Sequence, residues 1–137
     1  MKKTNQFESK YSKEIFNFLK NSLDEDFGEE DHTSKSYLNN KTDNSFKLIT
    51  KSYCIISGVR LSEILIKKFR SDLFMKKFFH DGEEVKKGET ILQIKGSSYS
   101  ILSVERLILN IMQRMSGIST LTSNLSKLIS HTKCKIL

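Results

Sequence analysis

From Val104 to Ile129 apolar residues return every three or four positions, as Val104, Leu107, Ile108, Ile111, Met112, Met115, Ile118, Leu121, Leu125, Leu128 and Ile129. Only an α-helix gathers that spacing onto one face, so the periodicity predicts a long helix over about residues 102–130, held by burial of a continuous stripe. The other face carries Arg106, Asn110, Gln113 and Gly117 in line, at spacings that stack on one side of a helix. A guanidinium fork suits a carboxylate or phosphate, and the two amides can donate or accept beside it. Gly117 costs about 1 kcal/mol relative to alanine in a helix interior, which a close approach by a ligand or a second backbone would explain. Spacing alone favours a plainer role: Arg106 pairs with Glu105 or another acid, the amides are solvated, and Gly117 eases packing.

The remainder must supply something for that helix to cover, and 137 residues suffice for one compact domain. Phe7, Tyr11, Ile15, Phe18 or Leu19, and Leu23 predict a first helix of about four turns. The polar run from Lys35 to Ser45 reads as a surface connection. "FKLITKSYCIISGV" reads as β structure broken at Gly58, and Leu61, Ile64, Leu65 and Phe69 fit a short amphipathic helix. "LFMKKFFHDGEEVKKGETILQIKGS" reads as short strands with turns at Asp81-Gly82 and Lys87-Gly88. The expected class is α+β: a small antiparallel sheet with helices on one face, an α/β sandwich.

Charge and cysteine content narrow the classes further. The net charge of +7 is uneven, because Met1–Ser34 holds five lysines against eight acids and the rest carries +10. Such an excess steers nucleic acid or small anions, or simply keeps a chain soluble. The lysines come as pairs in "IKKF", "MKKF" and "VKKG", so solvated surface lysine is expected and no nucleic acid. Cys54 and Cys134 both sit in strand-like runs and are expected to be reduced and buried. His32, His80 and His131 lack metal-site spacing, so no metal cage is expected of this chain. No apolar run is long enough to cross a bilayer and "MKKTNQFESK" has no apolar segment behind it, which predicts a cytoplasmic protein with no membrane partner.

The segment "ILSVERLILNIMQRMSGISTLT" resembles the signature helix of the quinolinate phosphoribosyltransferase family, an E-R-x-x-L-N followed by Q-R-x-S-G-I-A-T, with Ser119 where that family has alanine. "LDEDFGEEDHTS" is similar to the family's E-D-x-G-x-G-D-x-T-S segment through Glu25, Asp26, Gly28, Asp31, Thr33 and Ser34, with Glu30 replacing the second glycine. "IISGV", "HDGEEVKKGETILQIKG" and "HTKCKIL" resemble further segments in the same order. The resemblance implies an N-terminal, hammerhead-like α/β sandwich over residues 1–130, with residues 131–137 the truncated start of the first strand of a C-terminal α/β barrel that is lacking here.

It also implies a chemistry. Enzymes of this family transfer the phosphoribosyl group of 5-phosphoribosyl 1-pyrophosphate to the ring nitrogen of quinolinate with Mg²⁺, releasing CO2 and pyrophosphate and forming nicotinate mononucleotide for NAD synthesis. In the homodimer the sandwich caps the neighbouring subunit's barrel, and the arginine matching Arg106 binds a quinolinate carboxylate there. Glu105, Asn110, Gln113 and Gly117 then support that arginine or the interface. No catalytic residue and no Mg²⁺ ligand is expected in this chain, which implies that it is inactive without a barrel. Two other classes fit parts of the sequence: a non-catalytic binding or assembly module using the long helix as an interface, and a biotinyl- or lipoyl-like carrier suggested by "DGEEVKKGETILQI", whose lysine motif at Met75 is a poor match.

Overall fold

The computed structural model describes residues 9–26 and 43–136. The chain divides into two compact units, Met1–Leu38 and Asn39–Leu137. In the first, α1 (Ser12–Asp26) is the expected helix, and of the two alternatives for its stripe Leu19 is fully buried while Phe18 is half exposed. Phe7 and the positions Gly28, Glu30, Asp31, Thr33 and Ser34 of the resembling segment lie outside the described residues.

The second unit runs β1 (Asp43–Ile49), β2 (Cys54–Ile55), α2 (Val59–Phe69), β3 (Phe74–Lys77), β4 (Glu84–Val85), β5 (Thr90–Ser97) and α3 (Ser98–Leu128). Asp43, Asn44 and Ser45 therefore begin a strand, although their polarity reads as connection: they pair with Ser97, Gly96 and Lys95 of β5. β1, β5 and β3 form an antiparallel sheet with β5 in the centre, and β2 pairs with β4 in a second small sheet. The turns at Gly82 and Gly88 form with φ of 94° and 90°, yet neither closes a hairpin between neighbouring strands, because the chain alternates between the two sheets. This is the α+β class expected from the sequence.

Strand parity decides what reaches the core. Phe46, Ile94 and Met75 stand opposite one another, as do Leu48, Leu92 and Lys77; Leu92 and Ile94 are buried with Ile101, Val104, Leu107, Ile108, Ile111 and Met112 of α3. α2 buries Val59, Ser62, Leu65 and Ile66, so its inward stripe lies slightly round from the apolar spacing and leaves Leu61, Ile64 and Phe69 half-buried. The shift follows from how α2 begins. Gly58 takes φ of 100°, and a Cβ there would sit 3.0 Å from Ile111 Cγ2 and 3.3 Å from Met112 Cα, so only glycine lets the turn press against α3. Asp81, from the distant β3–β4 turn, caps the helix by accepting from the Val59 and Arg60 N–H groups at 2.8 and 3.3 Å.

α3 starts at Ser98, four residues before the expected boundary at about 102. Ser97 caps it, accepting from the Ser100 N–H at 3.1 Å, and Asn44 of β1 donates to Ser98 Oγ. The helix ends at Leu128, and its stripe is not buried throughout: Ile118, Leu121, Leu125 and Leu128 are exposed, with Ile118 at 67% and Leu128 at 70%. Residues 131–136 form turn and bend and no strand, and Cys134 is exposed there instead of buried in one. A strand exists only through bonds to a neighbour, and none of the described strands lies alongside. Cys54 is half-buried in β2, in no disulfide, with its Sγ 3.8 Å from Thr50 Oγ1.

Candidate functional site on the long helix

The site is built on α3 because that helix is fixed on three sides. It packs on β1, β2, β5 and α2, and two of its hydroxyls clasp the outer edge of β2. Ser116 Oγ accepts from the Ser57 N–H at 3.0 Å and donates to the Ser57 carbonyl at 3.2 Å. One turn on, Thr120 Oγ1 accepts from the Ile55 N–H at 2.9 Å while donating to the Ser116 carbonyl at 2.7 Å. An edge strand otherwise leaves such groups open; here one helix side chain per turn satisfies them. The spacing of Ser116 and Thr120 carries this clasp, and nothing in hydropathy distinguishes those hydroxyls from solvated ones.

With α3 held in that rotation, its outer face is determined. Arg106, Asn110, Gln113 and Gly117 are all exposed. Asn110, Gln113 and Gly117 line a shallow concavity with Arg114, Ile118 and Leu121. Arg114 joins them there, whereas Arg106 lies a turn nearer the helix start and outside this lining. Nothing stands within 4 Å of the position a Cβ on Gly117 would occupy, so packing within the described residues does not account for that glycine. Glu105 is half-buried and lines a different recess, an apolar one between sheet and helix with Phe46, Leu48, Leu92, Ile101 and Ile108.

One strongly perturbed carboxylate lies elsewhere. Glu63 on α2 is met by Lys77 Nζ at 2.7 Å, Lys67 Nζ at 2.9 Å and Arg60 at 2.9 Å. Partial burial pushes its pKa up, and the bonds from Lys77, Lys67 and Arg60 more than reverse this, leaving it at about 2 in place of 4.5. Lys77 comes from β3, so the cluster ties helix to sheet. Among the described residues no group of three or more His, Cys, Asp or Glu side chains is placed to hold a metal ion, and no helix is long and apolar enough to cross a membrane.

A long helix packed with small antiparallel sheets is the α+β arrangement the family resemblance implies. Residues 31–116 match the family profile "Quinolinate phosphoribosyl transferase, N-terminal domain". The chain belongs to this family. It is 34% identical over 109 residues to the mitochondrial quinolinate phosphoribosyltransferase [decarboxylating] 2b of Nicotiana tabacum, a match covering 79% of this chain and 31% of that protein. A probable nicotinate-nucleotide pyrophosphorylase [carboxylating] of Methanothermobacter thermautotrophicus is 29% identical over 111 residues, 81% of this chain and 39% of the relative. Among solved structures, the nicotinate-nucleotide pyrophosphorylase of Francisella tularensis superposes with a TM-score of 0.79 at 31% identity, over 88% of this chain and 42% of that one. NadC of Streptococcus pyogenes gives 0.78 at 26% identity, again over 42% of its length. The chain therefore spans about a third of the curated quinolinate phosphoribosyltransferase relatives it matches, and the matched family region is the N-terminal domain.

Proposed function

We propose that this chain is the N-terminal part of a quinolinate phosphoribosyltransferase, and that α3 presents Arg106 to the carboxylate of quinolinate bound in a barrel supplied by a neighbouring subunit or a second chain. The observation that carries the reading is the exposed line of Arg106, Asn110, Gln113 and Gly117 on α3 in a chain of this family. An arginine fork reads a planar carboxylate bidentately, where lysine offers only a point charge. Asn110, Gln113 and the open notch at Gly117 receive the neighbouring backbone, and Glu105 steadies the helix from its sheet side. 5-Phosphoribosyl 1-pyrophosphate is the second substrate, and the basic excess of the chain favours the approach of both anions.

The residues described do not fit an Mg²⁺ site, so the family's metal belongs in this proposal to the barrel, and no step is routed through it here. Transfer requires a pyrophosphate held in line and charge stabilised between ring nitrogen and anomeric carbon, for which one arginine is insufficient. On this reading the chain alone is inactive, residues 1–130 are the sandwich, and 131–137 become the first barrel strand once a neighbour is present. A cytoplasmic location is part of the same proposal, to be checked by cell fractionation.

The test is an assay of nicotinate mononucleotide formation with the chain alone and with a separately expressed C-terminal part from the same source. Activity confined to the mixture supports the proposal; a stable complex without activity overturns it. In the active mixture Arg106→Ala raises the KM for quinolinate roughly ten- to a hundredfold, the worth of a charge-assisted hydrogen bond. An unchanged KM removes Arg106 from the site.

A further inference from the structure

The register of the three-stranded sheet creates a second surface, on the side away from α2 and α3, that the proposed enzyme reaction does not use. Ser45, Lys95 and Phe74 stand opposite one another in one cross-strand row, and Lys47, Gln93 and Lys76 in the next. Phe78 follows Lys76 on the same side, its ring centroid 5.0 Å from Lys76 Nζ. Phe74 is 64% and Phe78 44% exposed, and Lys47, Lys76 and Lys95 are exposed as well. Neither row contains a carboxylate; the next register position to carry one is Asp43, opposite Ser97 at the end of β1.

Chain order hides this surface. In "MKKFF" the two lysines look like an undirected pair, but strand parity sends Lys77 inward to Glu63 and Lys76 outward between Phe74 and Phe78. The outcome is a sheet face where Lys47, Lys76 and Lys95 stand among two unburied rings, with Gln93 and Ser45 in the same two rows.

We propose that this sheet face binds single-stranded nucleic acid, with phosphates along Lys47, Lys76 and Lys95 and bases stacked on Phe74 and Phe78. Three lysines without a carboxylate between them select a polyanion. Exposed rings on an antiparallel sheet give bases a surface to stack on without requiring a particular sequence. Ser45 and Gln93, joined by a 2.6 Å hydrogen bond, supply donors and acceptors for base edges. An anionic bilayer would use the same charges but requires contiguous apolar area to insert, and here Lys76 separates the two rings.

Fluorescence anisotropy of the 137-residue chain with a labelled, mixed-sequence RNA strand of about 16 nucleotides tests this. The expected result is saturable binding whose log K falls against log salt with a slope of about −2, three contacts on a single strand. Changing Lys47, Lys76 and Lys95 together to Gln flattens that slope. Phe74→Leu with Phe78→Leu, which keeps apolar bulk but removes the rings, weakens binding roughly tenfold or more at unchanged slope. Lys127→Gln on α3 alters neither. Absence of saturable binding at low salt, binding indifferent to both sets of changes, or retention only on phosphatidylserine vesicles would each overturn the proposal.

Discussion

Glu63 shows how a single side chain can make stability depend on acid. Its carboxyl sits at about 2 in the folded chain and at an ordinary carboxylate value when unfolded, because Lys77, Lys67 and Arg60 all donate to its charged form. A depressed folded pKa stabilises above the unfolded value, so the contribution is complete at neutral pH and is lost as pH falls from about 4.5 through 2. Partial solvent screening keeps it to roughly 1–2 kcal/mol. Glu63→Gln should therefore lower the melting temperature at pH 7, and the gap to the parent chain should narrow steadily as melts are repeated from pH 5 toward pH 2. A gap constant with pH would mean that packing, and not charge, accounts for the loss. No pattern in "LSEILIKKF" announces this: Lys67 lies one turn away and is legible as a pair, but Lys77 arrives only because β3 runs beside α2.

At the scale of elements, α3 was the most legible part of the chain and also the most misleading. Its apolar period fixed the helix and its inner face correctly as far as Ser116, since 3.6-residue geometry leaves no alternative. Hydropathy could not tell that Ile118, Leu121, Leu125 and Leu128 would face solvent, because period reports a face and not what covers it. The helix start was hidden for a related reason, "SSYS" being capped and helical while carrying no apolar signal. Arg106, Asn110, Gln113 and Gly117 are readable as one helix face from spacing, whereas Arg114 shares the concavity of the last three through the local shape of the helix surface, which spacing does not encode. The clasp yields a sharp contrast along the same helix. Ser116→Ala leaves the Ser57 N–H and carbonyl without their partner and should cost about 1–3 kcal/mol, read as a lower midpoint in urea, while Gln113→Ala on the exposed face changes the unfolding free energy by no more than about 0.5 kcal/mol. Equal losses from the two changes would remove the distinction between the clasp and the outer face.

At the scale of the molecule, the last turns of α3 leave Ile118, Leu121, Leu125 and Leu128 exposed, and under the proposed function a barrel from a neighbouring subunit or second chain covers them. Leu121→Gln with Leu125→Gln should leave the melting temperature of this chain nearly unchanged, both side chains being exposed, yet abolish co-purification with the C-terminal part. A variant that melts earlier would place those residues in the chain's own core instead. The interleaved sheets carry a different consequence, for the order in which the chain can acquire its shape. Among the described strands β1 and β3 each bond to β5, and β2 has its partner in β4 and its clasp on Ser116 and Thr120. A nascent chain emerging from the ribosome thus makes β5, the described partner of β1, only some fifty residues later, and at synthesis rates of about 5–20 residues per second that pairing waits several seconds. The polar opening "DNS" of β1 suits that interval: a strand that must wait exposed is safer when its first residues are ones water solvates readily.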